Sequence, residues 1–356
     1  GATTANLSAV TVTNATTNST TGNITVAAGT LAATLGGALS FDTVGTIAAT
    51  STTGGVAMHN ITALNTAGLT VNVTAGGAIS ETAATTITNT LGDIALTMAG
   101  TTSSGIDVTA GAVATTDADI TYTASSMSGN ITSTTVTNNS TDANSSIGVT
   151  GGASTNTFIL TGATAGTVSY QGQGGADNVT ISQAVGSASI NGEGGIDTIV
   201  LTLTDTMANT ITFNGGAQTD VLTLVDTGLV DADLANVSLV ETLVLSAAST
   251  VTLGTNATAA GIVTINGSTG TDVINASAMT PALTIIGGNG TNTITGGTST
   301  DTITGGTGTD TIVVGSTTAS ADAINTFTSG TDKLKLSTSV LNGAVATIVD
   351  AGDLSG

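Results

Sequence analysis

Residues 287–313 read GGNGTNTIT, GGTSTDTIT and GGTGTDTIV, three back-to-back units of nine residues. Each opens with a glycine pair, carries Asn292, Asp301 or Asp310 at its sixth place, and carries Ile294, Ile303 or Ile312 at its eighth. A unit of this kind packs a turn and a short strand into nine residues. Its glycines permit backbone angles that a Cβ forbids, and its eighth side chain points into a core. The sixth-place acid is expected to point outward from the turn. Stacked units then line up carbonyls and carboxylates, oxygen ligands of the hard type that suits Ca²⁺.

The same register, with looser glycines, recurs upstream. GGASTNTFI begins at Gly151, GQGGADNVT at Gly172, GEGGIDTIV at Gly192, GGAQTDVLT at Gly215 and GSTGTDVIN at Gly267. Their sixth places are Asn156, Asp177, Asp197, Asp220 and Asp272. The first four begin 21, 20 and 23 residues apart, and Gly267 precedes Gly287 by 20. That is the length of one solenoid turn of two strands and two bends, at about 3.3 Å per strand residue. The expectation is one acid per coil along one edge, with the opposite bend irregular. Glu241, in the segment NVSLVETLVL at 236–245, lies 21 residues after Asp220 and is expected at the same stacked position. Asp332, 22 residues after Asp310, is expected to close the series.

Composition narrows the possibilities. Twenty-three acids against Lys333 and Lys335 give a net charge of −21, which argues strongly against nucleic acid and anionic membrane as partners and makes divalent cations the natural counter-ions. Cysteine is absent, which rules out disulfides, a thiolate nucleophile and a zinc–thiolate site. Only six aromatic residues are present, so the core must be built from Val, Ile, Leu and Ala, as suits narrow coils. One proline, Pro281, leaves the strands almost uninterrupted. No run of about 18 apolar residues occurs, so no spanning helix is expected. Segments such as LTVNV at 69–73, IALTM at 94–98 and VLTL at 221–224 alternate apolar and polar residues and are bounded by turn formers. The chain reads as all-β.

These phrases resemble the calcium-binding RTX β-roll family, most closely a bacterial S-layer protein of that type. The VETLVL phrase at 240–245 is similar to one in calcium-dependent surface-layer proteins, and DAINTF at 322–327 followed by GTDKLKLS at 330–337 resembles the cap of secreted RTX β-rolls. The resemblance implies a parallel β-solenoid with Ca²⁺ at the stacked turns. The implied metal ligands are Asp177, Asp197, Asp220, Glu241, Asp272, Gly287, Asn289, Asp301, Gly305, Thr307, Asp310 and Asp332. Two departures weaken neighbouring sites: Asn292 replaces an acid, and Ser299 replaces the fourth-place glycine.

Three segments are expected. Residues 1–150, with seven of the 23 acids, form a Thr-rich, metal-poor β domain, either solenoid or sandwich. Residues 151–337 form the calcium-binding solenoid, and 338–356 a C-terminal cap or secretion segment. The chain begins at Gly1 without Met, which is compatible with a cleaved leader, a processed precursor or part of a longer chain.

Catalysis is not expected. His59, the only histidine, has no acid nearby in sequence, the pairs Asp117/Asp119 and Asp231/Asp233 suit turns, and the Gly-rich GQGG at 172–175 lacks the lysine and helix of a phosphate loop. Asn-x-Ser/Thr triplets such as those at Asn14, Asn60 and Asn130 leave glycosylation open. An ice-binding Thr array is disfavoured because T-x-T phrases do not recur at one coil period. The function implied is that of a secreted structural protein, a Ca²⁺-dependent S-layer component exported by a type I route. It would self-assemble into a lattice on the cell exterior, with envelope polysaccharide as a further candidate partner. The alternative is an RTX adhesin or the stiff repeat region of a larger secreted protein.

Overall fold

The computed structural model of the chain describes residues 13–14, 23–28, 33–34, 39–41, 45–58, 60–63, 68–81, 86–103, 106–110, 117–161, 166–182, 186–202, 211–225, 228–314 and 322–336. His59 and the expected closing segment 338–356 lie outside the described residues. The fold is an all-β parallel solenoid: strands pair in parallel with those one coil before and one coil after. Among the described residues the only helical pieces are a 3-10 turn, Asp231–Leu234, and one short helix, Thr255–Ala260.

Period-two patterning produces this result directly. In Asp93–Gly100 the side chains of Ile94, Leu96 and Met98 are buried while Asp93 and Thr97 are exposed. A strand with one apolar face cannot bury it alone. Stacking further copies in parallel closes an interior between two ladders while every backbone N–H and C=O is shared with the neighbouring coils.

The chain divides into two compact units, Gly1–Ile199 with Gly216–Gln218, and Val200–Gly215 with Thr219–Gly356. The compositional change near residue 150 lies inside the first unit, where Ser146–Thr150 pairs in register with Thr167–Gln171. One internal column of the first unit runs Ile47, Val71, Leu96, Tyr122, Val149, Tyr170, Ile190, each at most 2% exposed. A second runs Ile61, Ile87, Val108, Val136, Leu160, Ile181. Tyr122 meets Phe158 edge-on at 5.2 Å between ring centroids, and Phe158 meets Tyr170 at 5.9 Å.

Coil length varies without loss of register. The step from Tyr122 to Val149 is longer than the step from Tyr170 to Ile190, yet both pairs stack, so the turns absorb the difference. For the same reason Thr62, Thr88, Thr109, Thr137 and Thr161 stack in one outward rank although their spacing along the sequence is uneven. Threonines that show no single period in the sequence are thus aligned in space.

In the second unit, Leu243, Ile265, Ile285, Ile303 and Ile324 form one column, and Val251, Ile274, Ile294, Ile312 and Leu334 form the other. The eighth-place isoleucines of all three tandem units are buried, as the repeat predicts. Ile294 stacks directly on Ile312, while Ile303, between them in sequence, belongs to the other column. One coil here therefore holds two of the tandem units, and successive units fall on opposite ladders. Truncating Ile294 to Ala deletes fully buried methyl groups between Ile274 and Ile312. A loss of about 2–5 kcal/mol is expected in denaturant unfolding of the variant.

Candidate functional site

The sixth-place side chains lie where each turn enters a strand, and they do the same thing in coil after coil. Asp177 Oδ1 accepts the backbone N–H of Asn156 at 2.8 Å, and Asp197 Oδ1 accepts that of Asp177 at 2.8 Å. In the second unit Glu241 Oε2 accepts the N–H of Asp220 at 2.8 Å. Asp272, Asn292, Asp310 and Asp332 continue the pattern with the N–H groups of Ser249, Asp272, Asn292 and Asp310, at 2.8–2.9 Å. Asp301 serves Leu283 at 2.9 Å, and Asp322 serves Asp301 at 3.0 Å. Each oxygen therefore ties one coil to the next just where strand pairing begins.

This arrangement reverses the expected direction of the acids. Asp177, Asp197, Asp220, Asp272, Asp301 and Asp310 are all at most 2% exposed and fold inward over their own turn. The cause is the N–H they must reach, which belongs to the adjacent coil rather than to solvent. The first glycine of the unit makes room. A Cβ at Gly172 would sit 2.5 Å from Asp177 Oδ2, and one at Gly305 would sit 2.5 Å from Asp310 Oδ2. The second place has another demand, a left-handed backbone: φ is +91° at Gly288 and +108° at Gly306, whereas Gln173 and Glu193 adopt +73° and +67° without that freedom.

The expected single edge divides into two. Asp220 and Glu241 precede strands of one ladder, Val221–Val225 and Thr242–Leu245, which further along contains Thr302–Thr304 and Ala323–Asn325 behind Asp301 and Asp322. Asp272, Asn292, Asp310 and Asp332 instead precede Val273–Asn275, Thr293–Thr295, Thr311–Val314 and Lys333–Leu336 of the other ladder. Gly287 and Asn289 stack on Gly305 and Thr307, with the Thr307 hydroxyl donating to Asn289 Oδ1 at 2.7 Å, and Asp310 folds over Gly305. Asp301 stands on the opposite ladder, away from them. Glu241 and Asp332 land where their spacing places them.

The second carboxylate oxygen distinguishes the coils. Asp177 Oδ2 accepts the Tyr170 hydroxyl at 2.7 Å. Asp272 Oδ2 accepts both N–H and hydroxyl of Ser268, at 2.8 and 2.9 Å. Backbone N–H groups of Gly297 and Thr328 serve Asp301 and Asp332, at 2.6 and 2.7 Å. Asp310 Oδ2 is buried and has no hydrogen-bond donor. A buried carboxylate oxygen without a donor is costly, and a cation supplies what a donor would. Calcium therefore fits the residues at the Asp310 turn and does not fit at Asp177, Asp272, Asp301 or Asp332, where protein donors already hold both oxygens. Among the described residues no three acids or histidines converge as a ready-made metal cage.

Burial shapes the electrostatics. It pushes Asp177 from 3.8 up to about 7, against the hydrogen bonds from Tyr170 and Asn156, and the nearby Asp197 adds to the rise. Tyr170 is raised by burial and by the Asp177 charge. Burial also raises Asp301 and Asp322. Asp231 goes the other way: although burial opposes it, the N–H groups of Ala257, Asn256 and Gly254 lower it. That residue caps the helix Thr255–Ala260, with Oδ1 3.0 Å from the Ala257 nitrogen, and Asp233 Oδ2 accepts the Val230 N–H at 2.8 Å. Asp119 accepts the Ser146 hydroxyl at 2.6 Å. Asp117 accepts the Ser145 hydroxyl at 3.3 Å, so members of both pairs tie neighbouring coils together.

Sequence reasoning missed Tyr170, Ser268 and Asp322 as members of the ladder. Asp322 was readable in principle, since it follows Asp301 at the interval of one coil; the tyrosine, just before its own turn, carried no repeat signal. Comparison with protein families, curated proteins and solved structures finds no match to this chain.

A carboxyl raised on folding binds its proton more tightly in the folded state. Its stabilising contribution is complete below the unfolded value near 3.8 and is lost as pH rises through about 7. Thermal unfolding followed by tyrosine signal is therefore expected at higher temperature at about pH 5 than at about pH 8, and Asp177→Asn is expected to flatten that dependence. An unchanged midpoint over that range contradicts the assignment.

Proposed function

We propose that this chain is a structural protein of a bacterial cell exterior, a secreted solenoid of the RTX type that self-assembles into an S-layer lattice. The observation that carries the reading is the use of the sixth-place acids: among the described residues they hold one turn to the next in coil after coil. Outward ranks of small hydroxyl side chains, such as Thr62 through Thr161, give a uniform, chemically inert surface that suits repeated packing against copies of itself or envelope polysaccharide. A charge of −21 leaves such packing to depend on cations.

Calcium has a definite place in this proposal. Asp310 would hold it through Oδ2, the buried oxygen that no donor reaches, with room left beside it by the missing side chain of Gly305. The ion would supply positive charge where that oxygen lacks a donor. The second reading, a stiff spacer in a larger secreted adhesin, draws on the same coils and differs only in the absence of lateral order.

Electron microscopy of purified chain with calcium and with chelator separates the two: ordered two-dimensional arrays in calcium are expected, and dispersed particles under both conditions reject the lattice. Independently, Asp310→Asn replaces the donorless oxygen by a neutral amide. Calorimetric titration of that variant is expected to show loss of the site filled first in the wild-type chain.

A further inference from the structure

The first-unit segment of the sixth-place ladder, around Asp177, is filled differently from the Asp310 turn. Asp177 is 2% exposed. Its Oδ1 accepts the Asn156 backbone N–H and the Asn156 side-chain amide, both at 2.8 Å, and its Oδ2 accepts the Tyr170 hydroxyl at 2.7 Å. The same Asn156 Nδ2 lies 3.1 Å from the Gly152 carbonyl and 3.3 Å from the Gly172 carbonyl. Four oxygens from two coils thus converge on one amide nitrogen and one hydroxyl. Space is filled as well: a Cβ at Gly151 would meet Asn156 Nδ2 at 2.7 Å, and one at Gly172 would meet Asp177 Oδ2 at 2.5 Å.

We infer that the coils around Asn156 and Asp177 bind no divalent cation, because the Asn156 amide and the Tyr170 hydroxyl stand in the positions a cation would take. Carboxylate and carbonyl oxygens gathered at one point repel unless something positive lies between them. Amide and hydroxyl hydrogens supply that positive end at fixed positions and, unlike an ion, are never lost to a chelator. This rests on the calcium reading and refines it, yet fails separately from it, because it concerns residues of the first unit only.

The chain itself provides the reporter. It has two tyrosines and no tryptophan, and both Tyr122 and Tyr170 are buried in the first unit. Near-UV circular dichroism of tyrosine therefore follows that unit in the intact chain. Its melting midpoint in EDTA and in calcium is the baseline against which substitutions at Asn156 and Tyr170 are read. Asn156→Asp removes the amide and returns the acid of the regular repeat. The variant is expected to melt lower in EDTA and to recover by about 3 °C or more in calcium. A variant that responds to calcium no more than the wild type does shows that the amide is not standing in for an ion. Tyr170→Phe keeps the ring and removes only the hydroxyl, and is expected to lower the remaining Tyr122 midpoint equally in both solutions. Unaltered melting of that variant denies the hydroxyl its role.

Discussion

The bond from a sixth-place oxygen to the backbone N–H of the adjacent coil governs the rest of the architecture. A parallel strand entering its ladder leaves one N–H at the corner without a strand partner, and an acid or amide carried by the next coil accepts it. A hydrogen bond to a charged acceptor is worth roughly 1.5–3 kcal/mol, and its absence costs a buried donor about as much. The first glycine, the inward tilt of the side chain and the register of Thr302 on Thr284 follow from making that bond at each sixth-place turn. A longer side chain can also span the gap, as Glu241 does for Asp220.

Collecting carboxylates in an interior carries an electrostatic cost, and the coils meet it in different ways. Asn156 and Asn292 avoid the charge altogether, and the amide of Asn292 leans toward the Gly305 carbonyl at 3.5 Å. A tyrosine, a serine or a turn N–H serves the second oxygen of Asp177, Asp272, Asp301 and Asp332. Asn156 and Ser268 depart from the strict repeat, and both donate to a sixth-place acid. Each exchanges one source of positive potential for another, and the upward displacement of Asp177 shows how incomplete the compensation is where that acid is enclosed.

Much of the fold was legible because the repeat is a steric rule. Ile294, Ile303 and Ile312 had to face inward, and the glycine pairs had to turn. Spacing also located Glu241 and Asp332 correctly. What the spacing could not convey was which of two ladders a unit joins. The coil between Asp177 and Asp197 contains one sixth-place acid per turn, while the shorter coil from Ile294 to Ile312 contains both Asp301 and Asp310. Spacing alone groups those two together although they precede strands of different ladders. The direction of the acids was equally hidden. It depends on an N–H a whole coil away that only the folded chain brings near, and the Tyr170–Asp177 contact belongs to the same class.

One strand sets a limit on how the molecule can be dismantled. Lys333 and Lys335 are the only lysine or arginine side chains of the 356 residues, and both project from the exposed face of Lys333–Leu336, whose backbone is paired with Thr311–Val314. Peptidases that require lysine or arginine have no other place to cut. Within these residues trypsin-like cleavage is therefore restricted to that one paired strand, and the coils before it offer such an enzyme no lysine or arginine.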